Sequence, residues 1–286
     1  MIDKDALMAY LEPRESWSNW RELIGPLLIL VSLSFSLLFN SFFGRSIGDV
    51  SCRYRVTFSP RREAFSIWGL IYIWFLVGIL VQFLWSANHE EFPNADLQTN
   101  GLVASAWVLA GIWVFCFARL QRLALAAVVL VAAAAAALSA IVVGDGWNMA
   151  GVQGGTRPVQ IASIAAPNAI FAGWLTVAAS LSIGIALKAR RAPRLARWEI
   201  LMDGGDGGEC SEEAEQDGPD GIATALPLLA GVSVAAAVGI ATKDPVLLLP
   251  AAWSLAWQRT WALRATATVA AVVTVGEVIV LVRMFA

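Results

Sequence analysis

The chain has 286 residues, 58% of them hydrophobic and only 15% charged, and its mean hydropathy is +0.66. A soluble domain is close to half apolar and a quarter charged, so this composition describes a protein that crosses a membrane several times. The formal net charge of −2 gives no sign of a nucleic-acid partner, and Cys52, Cys116 and Cys210 form no CxxC or His-Cys cluster, so neither a metal site nor a disulfide framework is signalled.

Apolar stretches of about 20 residues, enough to cross a hydrocarbon core of about 30 Å, recur along the chain. Eight spans are predicted: Leu23 to Asn40, Ala64 to Ser86, Gly101 to Ala118, Leu123 to Val143, Ile164 to Leu187, Ile222 to Thr242, Pro245 to Trp261 and Ala262 to Ala286. Only Arg119-Leu120-Gln121-Arg122 separates the third from the fourth, so these two must form an antiparallel hairpin. The seventh is short and contains Pro250, which points to a kinked or re-entrant segment. The division expected is a polar segment over 1–22, a bundle of five spans over 23–187, a basic collar and acidic loop over 188–221, and a C-terminal membrane extension over 222–286.

The N-terminus, MIDKDALMAYLEPRESWSNW, lacks the basic start and the cleavage pattern of a signal peptide, so the first span is expected to be retained. With eight crossings, fourteen of the twenty Lys and Arg residues fall on one face. By the positive-inside rule both termini would lie opposite that cytoplasm-like face. KARRAPRLARW at 188–198 reads as a juxtamembrane collar, and the Gly-rich acidic stretch after it as a disordered loop.

The stretch AFSIWGLIY at 64–72 sets Trp68 and Tyr72 one helical turn apart. Both residue types favour the headgroup level, and an aromatic belt accounts for Trp17, Trp20 and Trp85. The thirteen tryptophans include Trp107, Trp113, Trp174, Trp253 and Trp257 inside or near other spans. Indoles at that depth either pack helices or line a cavity for a flat apolar ligand, and both readings stand. Glu277 is placed deep in the last span, as an intramembrane acid with a structural contact or a proton relay as its two roles. The single histidine, His89, sits in a polar loop, and no GxSxG, HExxH, P-loop or dinucleotide fingerprint accompanies it, so no enzyme is expected.

SPRREAFSIWGLIY, APNAIFAGWLTVAA at 166–179 and DPVLLLPAAWSLAW at 244–257 together resemble the tryptophan-rich sensory protein family, the longer relatives of the translocator protein or peripheral benzodiazepine receptor. Pro60, Trp68 and Tyr72 hold the spacing of the family, and the resemblance covers residues 40 to about 258. Arg61-Arg62-Glu63 departs from it, as do Asn168 and Phe171, which stand where an aromatic and a tyrosine are common.

The resemblance implies an all-α integral membrane protein: a translocator-like five-helix bundle with about three additional C-terminal spans. It implies binding of a hydrophobic small molecule, porphyrin- or sterol-like, by a sensor or handling protein without catalytic turnover. Trp68, Tyr72, Asn100, Trp107 and Trp174 would line the site. The loop from Gly44 to Glu63 would form a lid whose Arg53, Arg55, Arg61 and Arg62 either meet a ligand carboxylate or simply set topology. A tetrapyrrole is the bound ligand this suggests, with no metal and no further cofactor. The partners expected are the lipid bilayer and the small molecule, without nucleic acid, and homo-oligomerisation stays open. Two alternatives also stay open: a secondary transporter with Glu277 as coupling residue, and a non-catalytic structural subunit of a membrane complex.

Overall fold

The computed structural model of the chain describes residues 20–54, 56, 62–88, 97–144, 157–191, 221–242 and 244–256. All regular structure among the described residues is helical. Five helices are long and apolar enough to cross a membrane. Their outward faces are apolar: Leu70, Ile73, Val77 and Leu80 are exposed along the second of them. Such a surface is stable only in lipid, so the chain is an integral membrane protein and the bilayer is its solvent.

Helix α1 runs from Trp20 to Arg53. At 1.5 Å per residue it is about 50 Å long and overshoots the hydrocarbon core. The sequence reading ended this span at Asn40 and opened a lid loop at Gly44, whereas the helix continues through both. Its second half is held by packing: Phe39 and Phe43 lie 5.9 and 5.7 Å from the ring of Phe115, and Val50 is buried. That contact offsets the helix penalty of Gly44 and Gly48, about 1 kcal/mol each.

Helix α2, Ile67–Asn88, follows a 3-10 turn over Arg62–Ser66. Helix α3, Leu97–Val114, widens into a π turn over Phe115–Arg119. The hairpin into α4, Leu123–Val143, is as tight as its four-residue linker requires. Leu120 N–H donates to the Phe115 carbonyl and Arg122 N–H to that of Cys116, both at 3.0 Å. Gln121 takes the left-handed conformation between them, with φ 50°.

Helix α5, Ala166–Arg191, is entered through a turn at Arg157–Gln160 and a π turn at Ile161–Ala165. A π turn frees backbone carbonyls from the helical ladder. That of Ala162 accepts from Trp74 Nε1–H at 2.7 Å, and that of Ser163 abuts Gly78, where no side chain fits.

The five helices neighbour one another in the order α2, α1, α3, α4, α5, with α5 and its entry turn closing the ring on α2. Helix α5 is the most enclosed, with 89% of its apolar window buried against 33 to 61% for the other four. The remaining cover comes from the C-terminal part. Helix α6, Gly221–Thr242, coincides with the sixth predicted span and packs on α5, its Gly231 against Ser180 and Thr176.

Asp244 then caps a 3-10 turn, Pro245–Leu248, by accepting from Val246 N–H at 3.0 Å. Helix α7, Leu249–Ala256, follows it. Pro250 is the second residue of α7, where a missing N–H breaks no helical bond. These eight residues, about 12 Å long, are too short to cross a bilayer. The segment lies along α5, with the Leu247 carbonyl and Pro250 against Gly173. Trp253 Nε1–H donates to the Ala64 carbonyl at 3.0 Å and so ties the segment to the start of α2. The eighth predicted span, Glu277 included, lies outside the described residues.

Candidate functional site

Four of the five residues expected to line a ligand site come together, and they pack on one another. Trp68 and Tyr72 share a face of α2 and stack at 5.8 Å between centroids. Tyr72 also stacks on Trp107 of α3 at 5.2 Å, and Trp68 meets Trp174 of α5 edge-on at 6.2 Å. The centre is filled by Phe171, whose ring lies 3.9 Å from that of Trp107 at an interplanar angle of 12°. Phe75 closes the cluster edge-on to both, at 5.1 and 5.6 Å. Trp107 and Trp174 are fully buried there. Where the resemblance placed a ligand, the protein's own aromatic rings stand.

Polar groups fix this cluster to α1. The Tyr72 hydroxyl lies 3.4 Å from Ser36 Oγ and accepts from Asn40 Nδ2 at 3.3 Å. Asn100 stands apart from it. It is buried against Gly25 at the α1–α3 seam, seven residues and about 10 Å along α3 from Trp107.

Of the four arginines assigned to a lid, Arg53 is the last residue of α1 and Arg62 the first of the 3-10 turn before α2. Arg55 and Arg61 lie outside the described residues.

Beside the aromatic cluster a cavity of about 40 Å³ is bounded by α1, α2 with its entry turn, α3 and α5. Ile47 and Ser51 come from the last turns of α1, and Phe65 and Trp68 from the first of α2. Trp113 and Phe117 come from the end of α3, and Leu181, Ser182 and Ile185 from the second half of α5. The cavity therefore lies at the end of the bundle that also carries Arg119, Arg122, Lys188 and Arg190. Trp68 is the one expected site residue that reaches both the cluster and the cavity.

The lining is apolar except for a few groups, and two of these lack partners. Trp113 Nε1 and Ser182 Oγ are buried without a hydrogen-bond partner. Ser182 differs in this from its neighbours on α5. Thr176 Oγ1 and Ser180 Oγ each donate to the carbonyl one turn back, at 2.8 Å, the usual way a hydroxyl is satisfied inside a helix.

Sequence reasoning named Trp113 among the interior tryptophans but did not assign it to the site, and it passed over Ser182. A serine in an apolar helix carries no signal of its own, because back-bonding is the common outcome. Six residues separate Trp113 from Trp107, which turns it to a different face from the aromatic cluster. Among the described residues no group of three His, Cys, Asp or Glu could hold a metal ion.

No curated protein and no solved structure matches the chain. A protein-family model does, that of the TSPO-like protein, over residues 22–199. The match takes in all five membrane-spanning helices and stops short of the 244–257 stretch, on which the resemblance also leaned. With residues 22–199, well over half of its length, matched, the chain belongs to the TSPO-like protein family.

Proposed function

We propose that this membrane protein binds a hydrophobic small molecule, porphyrin- or sterol-like in its apolar bulk, and acts as a sensor or handling protein without catalytic turnover. The observation that carries this reading is the mostly apolar cavity beside Trp68, walled by Phe65, Trp113 and Phe117. A mostly apolar concavity with a few convergent polar groups is the usual form of a small-molecule site.

Its 40 Å³ is room for a water molecule or two, whereas drug-sized ligands occupy about 300 Å³ or more. Binding therefore requires side chains to move, and Phe65 and Trp68 are the aromatic lining residues that are not fully buried. Both are half-buried, and both sit where the chain enters α2. A ligand that displaced them would pull on the segment preceding α2 at the basic end of the bundle, which gives a sensor its output. On this reading the arginines of that segment serve topology first, with contact to an acidic ligand edge as their second role. Both termini lie opposite that face, and Glu277 serves as a structural polar contact in the C-terminal extension.

The reading is tested by titrating the purified protein with protoporphyrin in mild detergent while following tryptophan emission. Saturable quenching that weakens in Trp68→Phe and Trp113→Phe, and is unchanged in Trp17→Phe, supports it. Linear quenching identical in every variant overturns it and leaves the aromatic cluster to packing, as in a structural subunit.

A further inference from the structure

We propose that the C-terminal segment over residues 245–256 is a strap that regulates the cavity: through Trp253 it holds the entry turn of α2 in place, so that ligand entry and strap release are coupled. This rests on the reading of the cavity as a ligand site and names what controls access to it.

The strap is fixed at three places. At its start the Asp244 N–H donates to the Gly239 carbonyl of α6 at 2.8 Å, and the buried Asp244 side chain caps the 3-10 turn. In its middle, the fully buried Leu247 and the buried Pro250 lie against Gly173 of α5. At its far end Trp253 Nε1–H donates to the Ala64 carbonyl at 3.0 Å. The first two attachments are buried, whereas Trp253 is 39% exposed. Contacts at the exposed margin of a fold open before those in its core, so the strap lets go first at Trp253.

The other partner of that bond belongs to the cavity wall. Ala64 is fully buried within the 3-10 turn before α2. Phe65, the next residue, lines the cavity and meets Trp174 edge-on at 6.1 Å, and Trp68, one turn on, lines it as well. One backbone carbonyl thus joins the strap to the two aromatic lining residues that are not fully buried. A ligand that displaces them moves the turn and takes the Ala64 carbonyl from its donor, at the cost of a hydrogen bond. Binding is weakened by that factor, and by reciprocity a bound ligand loosens the strap equally. A bond of ordinary strength makes the factor about five.

The test compares variants of the full chain in lipid nanodiscs. Protoporphyrin binding is followed by the porphyrin's own absorbance, since the variants change the tryptophans. Amide exchange over Arg62–Ser66 is measured by mass spectrometry without porphyrin. Trp253→Phe keeps an aromatic ring and removes the donor. It is expected to bind protoporphyrin about fivefold more tightly than wild type and to raise exchange over the turn by about the same factor. Gly173→Ala, which lifts the strap at its middle, should move both in the same direction. Trp74→Phe removes an indole bond from α2 to the Ala162 carbonyl instead and should change neither. A residue that merely supported the fold would weaken binding when altered.

Unchanged exchange over Arg62–Ser66 in Trp253→Phe overturns the strap's hold on the turn. Faster exchange there with equal or weaker protoporphyrin binding overturns its control of the cavity, and saturable binding by wild type would leave the ligand site standing. Equal tightening in Trp74→Phe overturns it too, because any loosening of α2 would then suffice. Absence of saturable binding in wild type and every variant overturns the ligand site itself, and the proposal with it.

Discussion

Two neighbouring regions of the bundle use the same kinds of side chain to opposite ends. In one, Trp68, Tyr72, Phe75, Trp107 and Phe171 form a closed stack with ring centroids as near as 3.9 Å. In the other, about two turns further along α3 and α5, Trp113, Phe117 and Ser182 wall a space that none of the described residues fills. The difference is made by one residue. Phe171 projects from α5 into the place between Trp68 and Trp107, whereas Ala178, seven residues on and one of four α5 residues lining the cavity, is too small to cross it. Richness in tryptophan therefore does not locate a ligand site. On the proposed reading, the room for a ligand comes from a gap in the packing instead.

The largest expected effect breaks this contrast by emptying the closed region. Phe171→Ala should leave a cavity of about 100 Å³, and at about 24 cal/mol per Å³ this destabilises the bundle by about 2–3 kcal/mol. It should be read as a lower thermal midpoint in detergent. The same variant should gain a site for a small apolar molecule such as benzene, because a dry apolar cavity of about that size takes such a guest.

Next in size is Gly173→Ala. A Cβ there would meet the Leu247 carbonyl and Pro250, and backbone cannot yield as a side chain can. A loss of about 1–3 kcal/mol is expected, the range for overpacking. The C-terminal segment should also come away from α5, seen as faster proteolysis between α6 and α7.

Smaller again is Tyr72→Phe, which removes a hydroxyl from Ser36 and Asn40 while leaving the ring in place. Hydrogen bonds between membrane helices average about 0.6 kcal/mol, so a stability change of about that size is expected. Ligand affinity at the cavity should stay the same, which separates the polar tie of the closed region from the chemistry of the open one. Trp74→Phe should behave similarly two residues further along α2, where its indole holds the π turn through Ala162, with a loss of about 1 kcal/mol.

Much of the fold was legible in the sequence. Hydropathy located the five helices because the bilayer demands length and apolarity together, and the four-residue linker after Arg119 compelled a hairpin. The continuation of α1 to Arg53 was not legible. The span was ended at Asn40 and the resemblance opened a lid loop at Gly44, and only contacts made by Phe39 and Phe43 across to Phe115 show why the helix persists.

For the site, the spacing of Trp68 and Tyr72 correctly put both on one face, and Trp107 and Trp174 meet them there. Asn100 does not, because its position on α3 is two turns away and turned to Gly25. Phe171 was visible as a departure from the family pattern. That it fills the expected pocket depends on which helix faces which, and one sequence does not encode that in any local period. Ser182 was illegible for a related reason: whether a helical serine bonds its own backbone is decided by its surroundings.

The most direct measurement is photolabelling. Benzophenone inserts into nearby C–H bonds on irradiation, so peptide mapping of the labelled chain in nanodiscs reports where the probe sits. The expected result is saturable labelling of the Leu181–Ile185 stretch of α5 and of Phe117, suppressed by excess protoporphyrin. Labelling confined to the lipid-facing side of α2 at Leu70, Ile73, Val77 and Leu80, rising linearly with probe and unaffected by porphyrin, would contradict a ligand site in this bundle.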